Sequence, residues 1–450
     1  MTQKFKLTLL SAALLGMGVQ LPVQAAGFQL AESSATGLGR AFAGEAASAE
    51  NPSVQARNPA MLSYLKGRQV SVGAVYVMPE VDTPGTLSIN SPLLPQTIVV
   101  DGSVDDVANN AAVPNFYYSS QLNDRWTWGL ALNSNYGLET ELPASHASAI
   151  FGNKTSVTTV ELNTNIAYKI DRHVTVGGGM RFVYGEGEIG ATTPAWLDNV
   201  KAIPTVPAAI AAQLPAAGTE LKHLEGDDFG IGWRAGASWQ IDAKNRIGLA
   251  YSSSVKLDLD GKARGVMYTG GSATVRGYIP LELPAFAELA SYHQLTDDFA
   301  LQASINWTDW SAFDELTVYF PHEEKPLSGV DADLVKEEHF KDNWRYSVGG
   351  TYQASKALTL RAGVALDKTA VADENRTITI PDSDRLWFSL GAGYALSDAM
   401  TLDLGVTYIK AHGDSPIDET QSLLNLAQVT YQGESVGHVW LAGLQFTYKM

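Results

Sequence analysis

The fold can be read from the stretch Val439-Trp440-Leu441-Ala442-Gly443-Leu444-Gln445-Phe446-Thr447-Tyr448-Lys449-Met450. Its apolar side chains alternate with small or polar ones, so that an extended chain would carry them on opposite faces. The apolar face holds Trp440, Ala442, Leu444, Phe446, Tyr448 and Met450, and the other face holds mainly Gly437, Gly443, Gln445, Thr447 and Lys449. This period of two predicts a β-strand with one apolar face.

The same alternation continues through most of the chain from about residue 69. It is clear from Met400 to Tyr408 and from Phe229 to Trp239, where the second face is again small and polar. A soluble β-sandwich has similar strands, so the alternation alone does not separate a sandwich from a barrel.

The lengths of the connections separate the two folds better. Short polar turns are predicted near 123–124, 171–172, 242–245, 296–298, 355–356 and 397–398. Long connections are predicted at about 80–111, 139–154, 189–225, 261–273, 321–339, 370–383 and 411–435. Six turns alternating with seven long loops separate fourteen strands, and this is how an outer-membrane β-barrel is built. The predicted fold is therefore an all-β, antiparallel transmembrane barrel over residues 68–450.

Composition supports a strand-built membrane protein. After the first 25 residues, no apolar run reaches the roughly 20 residues of a transmembrane helix. The chain has no cysteine, so disulfides, thiolate catalysis and cysteine-ligated metals are excluded. Its formal net charge of −17 argues against nucleic acid as a partner.

A secretory signal peptide is predicted at residues 1–25. Lys4 and Lys6 precede an apolar stretch from Leu7 to Val19, and Val23 and Ala25 suit cleavage before Ala26.

Residues 26–67 lack sustained alternation and are rich in Ala, Gly and Ser. A barrel of this size has a lumen wide enough to need filling, so this segment is predicted to be a plug, or hatch, inside it. A disordered periplasmic tail is the alternative, against which Phe28, Leu38 and Phe42 argue.

Several motifs occur in a fixed order along the chain. They are Ala26-Gly27-Phe28-Gln29-Leu30, Gly37-Leu38-Gly39-Arg40-Ala41-Phe42, Arg57-Asn58-Pro59-Ala60, Val113-Pro114-Asn115, Ser134-Asn135-Tyr136-Gly137-Leu138 and Ile380-Pro381-Asp382-Ser383-Asp384-Arg385. With this order and spacing, the chain resembles the FadL-type outer-membrane transporters of long-chain fatty acids and related hydrophobic compounds.

The resemblance implies a fourteen-stranded barrel with a hatch, capture of ligand among the outer loops, and lateral exit through the wall. The family's exit lies beside the Asn-Pro-Ala motif, here Asn58, Pro59 and Ala60, where the third strand bends inward. In this chain the third strand is expected from Arg125 to Leu138, with Gly137 at a possible bend.

Candidate ligand-binding residues come from three sources. Apolar surface is provided by Phe28, in the N-terminal segment, and by Trp196, in the long loop 189–225. Five arginines fall on the lumen-facing side and are candidates to bind a ligand carboxylate: Arg181, Arg234, Arg385, Arg345 and Arg361. The alternative for each is an ion pair with a carboxylate of the protein, such as Glu45, Glu50, Glu161 or Asp403. Lys336 matches a family lysine that contacts the ligand head group.

Glu186 and Glu188 depart from the family pattern, which has basic residues here. Carboxylates repel a fatty-acid anion, so an uncharged aromatic or aliphatic hydrocarbon is the alternative ligand.

No catalytic constellation, metal site or cofactor motif is expected. A general porin, a hydrolase assembled from distant residues and a surface adhesin remain as alternatives of other classes. The expected partners are a hydrophobic small molecule and outer-membrane lipid, with the protein acting as a monomer in the bacterial outer membrane.

Overall fold

A computed structural model describes residues 27–321, 324–423 and 426–450. The predicted signal peptide, residues 1–25, lies outside the described residues. Among the described residues, no helix has the length and hydrophobicity to cross a membrane.

Extended strands make up most of the described chain. The strands are β1 (Arg68–Asp82), β2 (Gly85–Asn90), β3 (Ile98–Asp101), β4 (Ala111–Gln121), β5 (Trp126–Asn133), β6 (Gly137–Glu141), β7 (Lys154–Lys169), β8 (Val174–Thr192), β9 (Glu220–Gln240), β10 (Asn245–Ser252), β11 (Val255–Gly265), β12 (Gly271–Leu283), β13 (Phe286–Gln294), β14 (Phe299–Thr308), β15 (Glu315–Tyr319), β16 (Ala332–Glu337), β17 (Asn343–Gln353), β18 (Leu358–Asp367), β19 (Asp384–Ala395), β20 (Met400–His412), β21 (Pro416–Leu423), β22 (Ala427–Glu434) and β23 (Val436–Lys449).

The helices are short. They are the α-helices α1 (Ala35–Leu38), α2 (Trp196–Lys201), α3 (Ala208–Ala211) and α4 (Val266–Thr269), and the 3₁₀ helices Glu45–Ala47, Pro52–Ala56, Pro59–Tyr64, Trp310–Ala312 and Asp373–Asn375.

The strands close into one antiparallel barrel. β1 pairs with β23 on one side and with β4 on the other, so the first and last strands meet. Several pairs of consecutive segments lie in line and act as single strands: β5 with β6, β10 with β11, β12 with β13, β14 with β15 and β16 with β17. With β1, β4, β7, β8, β9, β18, β19, β20 and β23, they give the predicted fourteen barrel strands. Closure leaves no free sheet edge for lipid to solvate.

The six predicted short turns are present, and they connect strands at one end, called the inner end here. The first of them joins Gln121 to Trp126, and the others are of the same kind. The long connections lie at the other, outer end. They carry more strand than the sequence predicts: β2, β3, β21 and β22 form a separate four-stranded sheet there. Helix α3 covers only the first four residues, Ala208–Ala211, of the Ala-rich stretch 208–217.

The two faces of the wall have the predicted chemistry. In β23, Trp440 and Leu444 are 43% and 53% exposed, whereas Gln445 and Thr447 are 0% and 2% exposed. The exposed apolar face is the one that contacts lipid, and the buried polar face points into the lumen.

Residues 27–67, the N-terminal segment, pack against these inward-facing side chains. The Gly44 amide donates to Ser304 Oγ at 2.7 Å, and the Ala46 amide donates to Glu288 Oε1 at 3.1 Å. Thr407 Oγ1 donates to the Leu38 carbonyl at 3.3 Å. The segment therefore contacts the inner face of strands β13, β14 and β20, on different parts of the wall.

Candidate functional site

Several barrel strands are interrupted at a similar level. Short breaks separate β5 from β6, β10 from β11, β12 from β13, β14 from β15 and β16 from β17. At three of these breaks the chain places a large aromatic side chain inside the barrel: Tyr136 and Trp310 are 0% exposed, and Phe340 is 5% exposed. A strand that alternates regularly cannot gather side chains in this way, because it sends every second one outward.

These aromatic residues surround Phe28. The Phe28 ring lies 4.6 Å from Trp310 and 5.3 Å from Phe313, centroid to centroid, and both pairs are edge-to-face. The rings of Phe313 and Phe340 are 5.0 Å apart. Such pairs stabilise one another by about 0.5–1.5 kcal/mol beyond their burial. We call Phe28, Tyr136, Trp310, Phe313 and Phe340 the aromatic cluster.

An apolar cavity lies next to the aromatic cluster, in the outer half of the barrel. Phe28 and Phe313 are among its lining residues, together with aliphatic side chains from β6, β7, β8, β9, β11, β12 and β15. They include Leu138, Val157, Ile189, Leu224, Leu259, Ile279, Leu281, Leu316, Val318 and Ile380. The apolar lining suits a hydrophobic molecule.

A second, more polar cavity lies on the other side of residues 28–30. Gln29 and Leu30 line it, as do Arg57, Glu288 and Arg345. Phe28 faces the apolar cavity while the next two residues face the polar one, so this short piece of chain separates the two.

The same piece of chain pairs with the interrupted third strand. The Leu30 amide donates to the Asn135 carbonyl at 2.8 Å, and the Gly137 amide donates to the Phe28 carbonyl at 2.9 Å. Residues 28–30 therefore act as a local strand partner for the break between β5 and β6.

The hydrogen-bond ladder of the wall is interrupted beside this break. β4 pairs with β5 only as far as Phe116 opposite Leu132, and contact resumes further out at Ala108 opposite Thr140. The two pairs are separated by eight residues on each strand, so neither strand has an extra residue. The strands therefore keep the same register but are not paired between these two positions. Pro114, which has no N–H to donate, lies in this stretch, where the edge facing the third strand has no ladder partner. The Asn115 side chain is 4% exposed, and neither of its polar atoms has a hydrogen-bond partner.

A second stretch of sparse pairing separates β12 from β15, which pair only at Tyr278 and Tyr319. Leu281, Phe313 and Leu316 pack in a common apolar cluster on its inner side. This stretch is filled by apolar side chains, whereas the unpaired edge of β4 carries the polar residue Asn115.

The lumen-facing arginines have carboxylate partners. Arg181 Nε lies 2.8 Å from Glu161 Oε1, and Arg234 Nη2 lies 2.8 Å from the same oxygen. Asn135 Nδ2 donates to Glu161 Oε2 at 2.7 Å, which ties this group to the third strand. Arg181 and Arg234 are thus held in an ion-paired group, and neither lines the apolar cavity.

A second ion-paired group fixes the N-terminal segment to the wall. Arg40 bonds Glu45 at 2.6 Å and also contacts Glu50, and Arg361 of β18 bonds Glu50 at 2.5 Å and Asp403 at 2.9 Å. Burial alone would raise the pKa of Glu50, but Arg361 and Arg40 outweigh it and hold this pKa at about 2.

Other predicted residues lie at the outer end. Arg385 bonds Asp382, whose other carboxylate oxygen accepts the Gly27 amide at 3.2 Å, so Asp382 tethers the start of the N-terminal segment. Trp196 is 6% exposed and donates to the Ala147 carbonyl at 3.0 Å, within an outer apolar cluster that is separate from the cavity lining.

Lys336, on β16, donates to Thr377 Oγ1 at 2.7 Å and also to Thr379 Oγ1. It lies beside the cavity lining, because its cross-strand partner Leu316 and the residue after Thr379, Ile380, both line the cavity. Glu188 lines the cavity too and pairs with Lys154 at 2.8 Å.

Asn58, Pro59 and Ala60 lie where the N-terminal segment crosses β8 and β9. The Asn58 side chain accepts from the Ala60 amide at 3.0 Å and donates to the carbonyls of Ala46 at 2.7 Å and Ala237 at 3.1 Å. The backbone of Pro59 and Ala60 passes so close to Gly177 that a Cβ there would lie 2.5 Å from the Ala60 nitrogen. Glycine at 177 is therefore required for this approach.

Tyr136, Trp310, Phe313, Phe340 and Asp382 were not identified as site residues from the sequence. A usable signal exists for two of them, Trp310 and Phe313: in Trp307-Thr308-Asp309-Trp310-Ser311-Ala312-Phe313 the alternation fails while aromatic residues continue. Such a failure within a barrel strand marks a place where the chain leaves the wall.

Comparisons with known proteins agree with this architecture. Residues 18–450 match the family model of outer membrane transport proteins described as OMPP1/FadL/TodX. The long-chain fatty acid transport protein of Escherichia coli O6:H1 is 34% identical over 466 residues and is covered, like this chain, to 100%. Outer membrane protein P1 of Haemophilus influenzae is also 34% identical, with 99% of this chain and 100% of that protein covered.

Two solved structures have the same fold. A Pseudomonas aeruginosa FadL homologue superposes with a TM-score of 0.80 at 22% identity, covering 94% of this chain and 100% of the other. The Pseudomonas putida toluene transporter TodX superposes with a TM-score of 0.63 at 16% identity, covering 95% and 100%.

Proposed function

The chain belongs to the OMPP1/FadL/TodX family of outer membrane transport proteins, and from this premise we propose a route for its ligand. The protein is an outer-membrane barrel for the uptake of hydrophobic molecules. We propose that it carries long-chain fatty acids, which bind in the apolar cavity beside Phe28. They then leave sideways into the membrane between β4 and the third strand.

One observation carries the proposal: residues 28–30 bound the apolar cavity and also pair with the interrupted third strand. Any movement of this piece of chain therefore changes the cavity and the wall opening together. Coupled opening is what a transporter needs if it is to release ligand without exposing a continuous pore.

Lateral release has a physical advantage. A long acyl chain released into periplasmic water would re-expose apolar surface at about 25 cal/mol per Å². Passage directly from the cavity into the lipid avoids this cost. We propose that the N-terminal segment is a hatch that closes the lumen meanwhile, and that a single barrel surrounded by outer-membrane lipid is the working unit.

A reversible cross-link across the opening tests this route. Ala111→Cys with Gly137→Cys places one thiol on β4 and one on β6 at facing positions on the inner side, and a Cβ at Gly137 finds only an ordinary contact with Leu30. Because the natural chain has no cysteine, a reducible bis-thiol linker can join only these two. We expect uptake of labelled oleate to fall about tenfold or more after cross-linking and to recover after reduction.

The matched control joins two fully paired strands at lipid-facing positions, with Leu390→Cys on β19 and Val406→Cys on β20, and should leave uptake unchanged. Normal uptake with the first cross-link in place, or loss with the second alone, would contradict exit beside β4.

An uncharged hydrocarbon is the second candidate ligand, because Glu188 and Glu225 line the cavity and repel an anion. Competition between oleate and hexadecane or toluene for the purified protein decides between the two. Preference for the hydrocarbons by more than about tenfold would favour this second candidate.

A further inference from the structure

We propose that Glu338 is a specificity-determining residue that shares one proton with the head group of the ligand, so that a fatty-acid anion binds together with a proton. The proposal rests on the proposed function and adds a head-group chemistry to it. Its basis is a carboxyl group that is enclosed and has no hydrogen-bond partner.

Glu338 lies in the loop between β16 and β17, on the outer side of the membrane-crossing part of β17. Its side chain is 0% exposed, and neither carboxylate oxygen has a hydrogen-bond partner in the described structure. Lys336 Nζ lies 4.0 Å from Oε1, at the limit of an ion pair. A buried carboxyl group in this state costs free energy unless something completes its hydrogen bonding.

Glu338 is adjacent to the apolar cavity. Its amide donates to the Asp314 carbonyl at 2.8 Å, and the residue before Asp314 is Phe313. Phe313 lines the cavity, as do Leu316 and Ile380, which neighbour Lys336 and its partner Thr379. The pair Lys336 and Glu338 therefore lies beside the place where these three cavity residues meet.

The charge around Lys336 does not favour a bare anion. Glu338 and Glu419 both act on this lysine electrostatically, and Glu419 Oε2 accepts the Ile378 amide at 3.1 Å. The lysine already donates to the hydroxyls of Thr377 and Thr379. A ligand carboxylate would be the third negative charge around one cation in a water-poor site.

A shared proton removes this conflict. Two carboxyl groups in contact cannot both ionise, and one proton held between them gives a strong hydrogen bond. Glu338 takes the proton from solvent and donates its O–H to the ligand carboxylate, and no covalent bond to carbon forms or breaks. A fatty alcohol instead donates its own O–H to a Glu338 oxygen and needs no additional proton.

The environment of Glu338 favours retention of a proton near neutral pH. Burial raises the pKa of Glu338 to about 7, against the opposing effect of Lys336 from β16. Glu419 from β21 acts in the same direction as burial, and the next residue, His339, opposes it. Burial also raises the pKa of Glu419, and the hydrogen bond of the exposed His339 to Asp314 raises the pKa of that imidazole.

Titration calorimetry of the full protein in lipid nanodiscs tests the proposal. Dodecanoic acid and 1-dodecanol are titrated at pH 6.5, 7.5 and 8.5, each in two buffers of different ionisation enthalpy, so that protons taken up can be counted. Below its pKa Glu338 already holds the proton, so uptake should be small at pH 6.5 and approach one proton per dodecanoate at pH 8.5. The Kd for dodecanoate should rise about tenfold per pH unit above pH 7.5, and that for dodecanol should stay constant.

Glu338→Gln keeps the shape of the side chain and a donor but cannot titrate. In this variant we expect no proton uptake and a Kd for dodecanoate that changes less than about twofold over the same range. Glu337→Gln, at the exposed neighbouring carboxylate, and His339→Asn, at the neighbouring imidazole, should both behave like the natural protein. Dodecanol binding by Glu338→Gln confirms that the variant is folded.

The outcomes separate two failures. If neither ligand binds the natural protein, the proposed function fails. If both bind, but dodecanoate takes up no proton at pH 8.5 or still takes one up in Glu338→Gln, the role of Glu338 is overturned while the proposed function stands. Loss of the pH dependence in His339→Asn alone would assign it to the imidazole instead.

Discussion

Around Phe28 the barrel encloses aromatic and aliphatic side chains, whereas around Glu161 and Glu50 it encloses ion pairs that are similarly shielded from water. The aromatic cluster adjoins a cavity and is built from chain segments that leave the wall. The ion-paired groups join the N-terminal segment, the third strand and the wall. Apolar surface provides affinity for a hydrophobic ligand, and directional charge contacts determine position.

Removing Glu161 tests the ion-paired region and should have the largest effect. Glu161→Gln leaves Arg181 and Arg234 buried without their counter-charge, which should destabilise the barrel by about 3–5 kcal/mol. Urea unfolding of the protein folded into vesicles measures this. Glu186→Gln, at an exposed carboxylate of β8, is the control, and equal stability of the two variants would show that the buried ion pairs do not hold this region together.

Removing the Phe28 ring tests the apolar region. Phe28→Ala deletes one wall of the cavity and the centre of the aromatic cluster, and loss of that burial, about 1.5–3 kcal/mol, corresponds to a 10- to 100-fold weaker binding of oleate. The protein should also unfold at a somewhat lower urea concentration, because the contacts of the Phe28 ring with Trp310 and Phe313 are lost. The lipid-facing Phe229→Ala is the control, and unchanged oleate affinity in Phe28→Ala would exclude this cavity as the binding site.

Asn58→Ala tests the polar anchoring of the N-terminal segment, and its effect should be smaller. Loss of the side-chain hydrogen bonds to Ala46, Ala60 and Ala237 should loosen the segment by about 1–2 kcal/mol. Oleate uptake should fall and ion conductance should rise, while barrel assembly stays intact. Single-channel recording checks the conductance against Asn199→Ala, on an exposed helix, and a conductance as low as in that control would count against a hatch role.

Lys336→Ala should have the smallest effect and sharpens the difference between charged and neutral ligands. Because Lys336 already donates to Thr377 and Thr379, we expect binding of oleate to weaken only about three- to tenfold, and that of methyl oleate to change less. Competition binding compares the two ligands, with Lys341→Ala as the exposed control. Equal losses for acid and ester would rule out a role for Lys336 at the head group.

The sequence predicted the wall in detail because the wall depends on local patterns. Alternation identified which side chains of β23 face lipid, and turn residues identified the six inner connections. It also predicted that the lumen arginines would have carboxylate partners as one alternative, and Arg181, Arg234 and Arg361 have them.

The site was predicted less well, because it is assembled from interruptions of the pattern. Phe28 was identified, but Tyr136, Trp310 and Phe340 belong to breaks in three different strands whose meeting depends on the closure of the barrel. No local sequence pattern indicates which of these breaks lie at the same height along the barrel axis. The partnerless state of Glu338 likewise becomes visible only when every neighbouring element is in place.

By itself, the sequence determined a fourteen-stranded wall, its lipid-facing side and the position of the segment that precedes it, because a residue's own neighbours decide strand periodicity and turn formation. Only the tertiary structure decided that residues 28–30 lie between two cavities and beside an opening in the wall. The physical reason is that this arrangement depends on contacts between residues more than 100 positions apart, such as Leu30 with Asn135 and Phe28 with Trp310.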